Sequence, residues 1–181
     1  MILASHTLLA DARKGNRKAM QQLYALTVRY LTAVGQRYIA QDEDLKDVLQ
    51  ESYLKIFRNI KDFTPTEEGC VVSWMAKIVI HEALMFLRNK KHLTFLETTE
   101  TLPDVAEELD VERFTPDDVQ RAIRQLPPGY RTVLNLYVFE EKSHREIARL
   151  LGIEENTSAS QLNHAKALLK NILIEQEGGT R

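Results

Sequence analysis

The sequence predicts an all-α protein of two small helical domains, joined by an acidic linker and with a helix-turn-helix in the second domain. Apolar residues recur at spacings of three and four through both flanking parts of the chain, which is the period of amphipathic helices. No segment of useful length alternates apolar and polar residues, so nothing favours strands. Acidic residues concentrate between the two helical parts, where apolar periodicity is absent.

Four amphipathic helices are expected in the first domain. The first two are separated by a break near residues 15–16, the third begins near Asp44, and a loop at residues 65–69 follows it. Ser73 is a good N-cap for the fourth helix, which ends in the basic-rich run 88–92. The expected core of the first three helices contains Leu8, Leu9, Ala19, Leu23, Tyr24, Leu26, Val28, Leu31, Val34, Leu45, Val48, Leu49, Tyr53, Leu54, Ile56, Phe57 and Ile60.

Residues 143–173 predict a helix-turn-helix. Ser143 and Glu146 have the spacing of a capping box, and Gly152 ends the first helix in a tight turn. The expected inward faces of the two helices contain Ile147, Ala148, Leu150, Leu151, Ile153, Leu162, Ala165, Leu169 and Ile172. The outward residues near the start of the second helix are Asn156, Thr157, Ser160, Asn163 and His164. Such short polar groups can meet base edges in a major groove, but on spacing alone a helical hairpin packed in an all-α domain is an equally good explanation.

The formal net charge is −2, but its distribution along the chain is very uneven. Residues 97–118 carry nine acidic side chains against the single base Arg113, a formal charge of −8, which leaves +6 on the remainder. The two flanking parts are therefore modestly basic, as binding to nucleic-acid phosphates requires. We interpret the acidic stretch, with Pro103 and Pro116, as a linker; a purely solubilising spacer would have the same composition.

Composition and motifs exclude several classes of protein. A single cysteine, Cys70, permits no intramolecular disulfide, so a cytoplasmic setting is expected. No apolar run reaches the roughly 18 residues of a membrane helix, and no signal-peptide pattern is present, so no membrane insertion is expected. His81 and Glu82 open a zinc-protease motif, but Met85 stands where its second histidine is required. We therefore expect no metal, no cofactor and no enzymatic activity.

Two sets of motifs resemble conserved regions of bacterial RNA polymerase sigma factors. Those similar to the second region are Asp47-Val48-Leu49-Gln50-Glu51, Ile56-Phe57-Arg58, Phe63, Glu68-Gly69, Trp74, Ile78 and Leu87-Arg88. Those similar to the fourth are Leu126-Pro127-Pro128-Gly129-Tyr130-Arg131, Ser143, Glu146-Ile147-Ala148, Leu151-Gly152-Ile153, Thr157, Ser160, Leu162 and Ala165-Lys166. These two regions alone, with a short linker, resemble the extracytoplasmic-function (ECF) branch. The resemblance implies region 2 in residues 1–94, the acidic linker in 95–116 and region 4 in 117–181.

The resemblance implies binding to core RNA polymerase, through its clamp helices and its flap, and to promoter DNA. It also implies an anti-sigma factor as a regulatory partner. The resemblance assigns binding of the clamp helices to Asp47, Gln50, Glu51 and Leu54. Spacings of three and four place these residues together on one flank of a helix, which agrees with a shared role. Without the resemblance, a solvated acidic face would be the better explanation.

In this family a loop and the helix after it capture the opened non-template strand of the −10 element. The corresponding residues here are the loop 63–69, with Phe63, and then Lys77, His81, Arg88 and Lys91. Aromatic stacking and phosphate pairing are the chemistry that single-stranded DNA requires. The family usually has Asn where this chain has His81, and often Asp at Met85, so an altered base preference is expected. Trp74 is expected in the core.

The helix-turn-helix is expected to bind the −35 element. The residues assigned to it are Arg145, Arg149, Asn156, Thr157, Ala159, Ser160, Gln161, Asn163, His164 and Lys166. The family commonly has Lys or Arg where this chain has Ala159, Gln161 and His164, and an arginine is frequent where Tyr137 stands. Fewer charged contacts leave more of the binding to neutral hydrogen bonds.

The main alternative function is a helix-turn-helix transcriptional regulator that is not a sigma factor. Activators of the two-component type carry an α/β receiver domain, whereas the first domain here has no strand pattern. A structural helical adaptor fits the composition but leaves the paired motifs unexplained. The sequence therefore predicts an RNA polymerase sigma factor that directs promoter-specific transcription initiation.

Overall fold

The computed structural model describes residues 6–64, 70–89 and 113–178, and these ranges contain helices and no strand. The helices are α1 (His6–Arg13), α2 (Arg17–Gln36), α3 (Asp42–Asn59), a short 3-10 helix (Ile60–Asp62), α4 (Cys70–Asn89), α5 (Pro116–Gln125), α6 (Pro128–Val138), α7 (His144–Leu151) and α8 (Glu155–Gly178). The chain divides into two compact units, Met1–Phe86 and Leu87–Arg181. The all-α prediction is confirmed. The predicted linker lies outside the described residues except at its end.

The break between α1 and α2 is made by the two residues predicted for it. Gly15 has a φ of +81°, a left-handed conformation that glycine adopts without steric cost. Asn16 is the N-cap of α2, because its Oδ1 accepts hydrogen bonds from the amides of Lys18 and Ala19 at 3.0 and 3.2 Å. The next helix, α3, begins at Asp42, and its acidic first turn complements the positive end of the helix dipole.

The core of the first unit lies between α2, α3 and α4. Its fully or almost fully buried side chains include Leu23, Leu31, Val34, Leu45, Val48, Ile56, Met75, Val79 and Ala83. The backbones of α2 and α3 approach closely at Gly35, where an added Cβ would lie 2.7 Å from Leu45 Cδ1. Thr27 and Tyr53 share a buried hydrogen bond of 3.0 Å between α2 and α3. These contacts pack α3 against α2.

Three details of the first unit differ from the sequence prediction. The fourth helix begins at Cys70, three residues before the predicted cap Ser73, because burial of Val71 and Val72 extends its apolar face. Ser73 is therefore an exposed residue inside the helix. Tyr24 and Leu26, expected in the core, are exposed.

The described part of the second unit after the linker begins with α5, whose acidic first turn we had counted in the acidic stretch 97–118. Thr115 forms a capping box with Asp118, so Pro116, Asp117 and Asp118 form the first turn of α5. The acidic residues Asp117 and Asp118 therefore complement the positive end of the α5 dipole. Helix α6 is buried along most of its length and packs on α8, as do α5 and α7.

The predicted helix-turn-helix is α7, the turn at Gly152, and α8. Ser143 and Glu146 form the capping box of α7, and Gly152 ends it with a φ of +70°. Ile147, Leu151, Leu162 and Ala165 are buried as predicted. Leu150 is 43% exposed and does not belong to the core as predicted. Successive residues of a helix are rotated by about 100°, so the face that buries Leu151 leaves Leu150 outside it.

Candidate functional site

The outer flank of α3 presents the residues predicted to bind polymerase. Asp47, Gln50, Glu51 and Leu54 are all exposed, and Leu54 remains 44% exposed although it is apolar. The opposite flank is buried through Val48, Ser52 and Ile56. The spacing of three, four and seven residues therefore places one leucine and two carboxylates in a row facing outward.

An apolar groove that the sequence did not predict lies beside this row. It has a volume of about 480 Å³ and is lined by Tyr24, Val28, Lys46, Leu49, Gln50, Tyr53, Leu54 and Phe57. The rings of Tyr24 and Tyr53 lie 4.7 Å apart between their centroids, and burial raises the pKa of Tyr53 to about 12. The signal missed in the sequence is the outward position of Tyr24, which we assigned to the core.

The exposed face of α4 carries the residues predicted for the −10 strand. Lys77, His81 and Arg88 are exposed on this helix, and Met85 is exposed on the same face one turn after His81. Lys91 and the loop residues 65–69 lie outside the described residues. The face brings two cations and one imidazole to the surface of α4.

Phe63 and Trp74 lie at the start of this face. Their ring centroids are 4.8 Å apart and the rings are tilted by 31°. Both side chains are partly exposed, so Trp74 is not the core residue that we expected. The pair fixes the position of Phe63 against α4 by aromatic contact.

A carboxylate joins α3 to α4 directly beneath the exposed face. Glu82 Oε2 lies 2.6 Å from Lys55 Nζ, and Glu82 Oε1 lies 3.2 Å from His81 Nδ1. Burial alone would raise the pKa of Glu82, but the hydrogen bonds from Lys55 and His81 outweigh it and lower that pKa. Glu82 is therefore a carboxylate at neutral pH. No local pattern in the sequence predicts this network, because Lys55 and Glu82 are 27 residues apart.

In the second unit, aromatic and basic side chains stack across the helix-turn-helix. The rings of Tyr137 and His144 lie 4.9 Å apart and nearly parallel, and Lys166 Nζ lies 5.9 Å from the Tyr137 centroid. His144 Nδ1 is also 3.0 Å from Ser158 Oγ, which joins the start of α7 to α8. Three helices therefore contribute to one stacked cluster.

The residues predicted for the −35 element have very different exposures. Arg145, Arg149, Asn156, Asn163 and Lys166 are exposed, whereas Thr157, Ala159, Ser160 and His164 are partly exposed. His164 stacks on Tyr130 with centroids 5.7 Å apart. The prediction that Gln161 faces DNA is wrong. Gln161 is only 1% exposed, because it lies on the buried face of α8 with Ser158, Leu162 and Ala165. We therefore remove Gln161 from the DNA-facing set.

Arg131 of α6 is a buried structural side chain whose role the sequence did not predict. It is 4% exposed, and its Nη1 donates hydrogen bonds to the carbonyl oxygens of Arg124 and Leu126 at 2.7 and 3.3 Å. Desolvation lowers its pKa to about 10, and the charge of Arg124 adds to the shift. An arginine satisfying carbonyls at the end of α5 holds α5 against α6.

Within the described ranges, no group of histidine, cysteine and acidic side chains could hold a metal ion. Among the same residues, no helix is long and apolar enough to cross a membrane.

Comparisons with known proteins match each of the two units to a region of one protein family. Residues 23–93 match Sigma-70 region 2, and residues 117–169 match Sigma-70 region 4. The chain is 30% identical over 166 residues to the ECF RNA polymerase sigma factor SigM of Mycobacterium tuberculosis, covering 92% of this chain and 83% of the relative. It is 29% identical over 142 residues to the RNA polymerase sigma factor SigV of Bacillus subtilis, covering 77% of this chain and 82% of the relative.

A solved structure of CnrH in complex with the cytosolic domain of CnrY is similar with a TM-score of 0.49 and 22% identity, covering 93% of this chain and 96% of that one. The sequence matches alone are sufficient to assign the family. The chain belongs to the ECF branch of the RNA polymerase sigma factors. Matches to both regions favour this family over a helix-turn-helix regulator of another kind.

Proposed function

We propose that this chain binds core RNA polymerase through the outer flank of α3 and directs promoter-specific transcription initiation. The observation that carries the proposal is the outward row of Asp47, Gln50, Glu51 and Leu54. Carboxylates beside an exposed leucine and an apolar groove suit a partner surface that offers both basic and apolar side chains. The clamp helices of polymerase are the proposed partner of this row.

The exposed face of α4 is the proposed binding surface for the opened −10 strand. Lys77 and Arg88 would pair with phosphates, His81 would meet a base, and Phe63 offers a ring for stacking. Lys91 is included on the family resemblance alone. Strand capture would then depend on one helix face and the residues just before it.

The exposed surface of α7 and α8 is the proposed reader of the −35 element. Asn156, Thr157, Ala159, Ser160, Asn163 and His164 would face the bases, and Arg145, Arg149 and Lys166 would meet phosphates. A second contact, with the polymerase flap, is proposed for the same domain. This assignment is supported by the helix-turn-helix geometry and by the exposure of these residues.

The proposed domain boundaries are region 2 in residues 1–94, the acidic linker in 95–116 and region 4 in 117–181, with the first turn of α5 starting one residue earlier. We propose that the protein acts in the cytoplasm, has no enzymatic activity and is regulated by an anti-sigma factor. Membership of the ECF branch supports each of these statements.

Binding to core polymerase tests the proposal. Purified core enzyme and the full chain are mixed and separated by gel filtration, and we expect the chain to elute with polymerase. The double variant Asp47→Lys with Glu51→Lys should elute separately, because it reverses both charges in the row. Asp62→Lys with Glu175→Lys changes the net charge equally at exposed positions away from the row and should still co-elute.

Circular dichroism establishes that both double variants are folded. Failure of the unmodified chain to bind core polymerase, where another sigma factor binds, would contradict the proposal. Equal binding by both double variants would remove the α3 row from the interface.

A further inference from the structure

Glu82 connects the polymerase-binding helix α3 to the exposed face of α4. Its side chain is only 11% exposed, and its two oxygens have different partners. Lys55 from α3 lies 2.6 Å from Oε2, which leaves Oε1 to His81 Nδ1 at 3.2 Å. The ion pair with Lys55 therefore holds the carboxylate in a fixed orientation toward His81.

The contact between Glu82 and His81 determines which ring nitrogen carries the proton. An ionised carboxylate can only accept a hydrogen bond, so His81 Nδ1 must be the donor. A neutral imidazole has a single N–H, and its other nitrogen is then an acceptor. The His81 side chain is 68% exposed, so the Nε2 end of the ring is open to a ligand.

We propose that Glu82 is a positioning residue that fixes the proton of neutral His81 on Nδ1, so that Nε2 accepts a hydrogen bond from a promoter base. The inference rests on the proposed contact between His81 and the −10 strand. The base groups that fit are hydrogen-bond donors, such as the exocyclic amino groups of adenine and cytosine, whereas acceptors such as guanine O6 and thymine O4 would face the acceptor Nε2 without a proton between them. An opened strand also exposes the N–H donors of guanine and thymine, so Nε2 selects a donor group and not one pair of bases.

The neighbourhood of His81 supports this division of roles. Met85, one turn later on the same exposed face, is apolar and offers no hydrogen bond to Nε2. Lys77, one turn earlier, is exposed and is suited to a phosphate. His81 is therefore the hydrogen-bonding group suited to a base edge at the centre of this face. Glu82 determines whether its Nε2 accepts or donates that hydrogen bond.

The tautomer is tested first, on the full chain without DNA. Ring nitrogen–proton correlation spectra are recorded at alkaline pH, so that the neutral imidazole is observed. We expect the Nδ1–H pattern for His81, whose signals are identified by their loss in His81→Ala. Glu82→Ala should convert it to the Nε2–H pattern. Glu82→Gln should do the same, because Lys55 takes the single amide oxygen and leaves the amide nitrogen, a donor, facing Nδ1. The signals of His144 and His164 serve as internal controls.

The base readout is tested next, with holoenzyme transcribing a promoter library randomised across the −10 element. We expect the unmodified chain to prefer one base at one position, the base whose donor group meets Nε2. Glu82→Ala and Glu82→Gln should both shift the preference at that position by about fivefold or more toward a base that presents an acceptor, since a single base contact is worth that much. His81→Ala should lose the preference altogether.

The two measurements separate the inference from the function on which it rests. An Nε2–H pattern in the unmodified chain overturns the inference even if transcription is normal. An unchanged base preference in His81→Ala overturns it together with the −10 assignment. Co-elution of Glu82→Ala and Glu82→Gln with core polymerase, and their circular dichroism, establish that each variant is folded, so a changed preference is not a consequence of unfolding.

Discussion

Lys166 Nζ lies 5.9 Å from the ring centroid of Tyr137, and the same ring stacks with His144 at 4.9 Å. The aromatic ring stands between an exposed cation of α8 and the first residue of α7. Because an ammonium over an aromatic face is attracted to it, the ring limits the positions that the lysine can take. Tyr137 therefore orients the cation proposed to meet phosphate.

Replacing Tyr137 by leucine should weaken promoter binding by holoenzyme by about twofold to fivefold, the equivalent of an exposed cation–π contact of roughly 0.5 to 1 kcal/mol. The loss should be equal on all −35 sequences, since the lysine meets phosphate and not a base. Tyr137→Phe retains the ring and should bind normally. Competition binding on a set of −35 variants measures both effects, and an equal loss in the phenylalanine variant would show that the hydroxyl matters instead.

The contribution of Glu82 to stability should depend on pH. Its folded-state pKa lies below the ordinary value of a glutamate, so its stabilisation is fully present above that ordinary value. It should be lost as the pH falls through the lower folded-state pKa. Urea unfolding of the unmodified chain and of Glu82→Gln should therefore give a difference in unfolding free energy that is constant near neutrality and shrinks at acid pH. A difference that grows on acidification would contradict the direction of the pKa shift.

Gly35→Ala should destabilise the first unit by roughly 1 to 3 kcal/mol, the usual cost of overpacking. The added Cβ would lie 2.7 Å from Leu45 Cδ1, too close for any carbon pair. Ala33→Gly, at an exposed position in the same helix, provides a control that changes helix propensity alone. Thermal unfolding measures both variants, and a Gly35→Ala protein as stable as the parent would show that α2 and α3 are free to separate.

Replacing Asn163 and replacing Arg149 by alanine should have different effects on promoter binding. Asn163 is exposed on α8 and is proposed to meet a base edge, so its loss should cost about 1 to 3 kcal/mol at a single base position. Arg149 is exposed on α7 and is proposed to meet phosphate, so its loss should weaken all sequences alike and reduce the salt dependence. Transcription from a library spanning the −35 element, repeated at several salt concentrations, distinguishes them. The opposite pattern would mean that α8 is oriented differently in the groove.

Local signals in the sequence predicted several helix boundaries that depend on caps, although the cap predicted at Ser73 was wrong. Asn16 and Gly15 separate α1 from α2, and Ser143 and Gly152 delimit α7, because each acts through its own backbone neighbours. Thr115 acts in the same way, but the acidic residues after it belong equally well to a linker or to a helix N-terminus. Charge composition alone could not separate these two explanations.

Features that depend on packing between distant residues could not be predicted. Gln161 is polar and lies near predicted DNA-facing residues, yet the rotation of α8 on α6 buries it. Arg131 is charged but buried, because the carbonyl groups at the end of α5 supply its hydrogen bonds. Leu54 was assigned both to the core and to the polymerase interface; its 44% exposure excludes the core, and its role in the interface stays a prediction.

The most direct test of sigma activity is the set of RNA 5′ ends made by core polymerase with and without the full chain. Genomic DNA is the template, and the 5′ ends are sequenced. We expect the chain to add discrete start sites preceded by one shared pair of −35 and −10 sequences at constant spacing. The Asp47→Lys, Glu51→Lys variant should remove these starts together. Start sites identical to those of core polymerase alone, under conditions where the chain is folded, would contradict the function proposed for it.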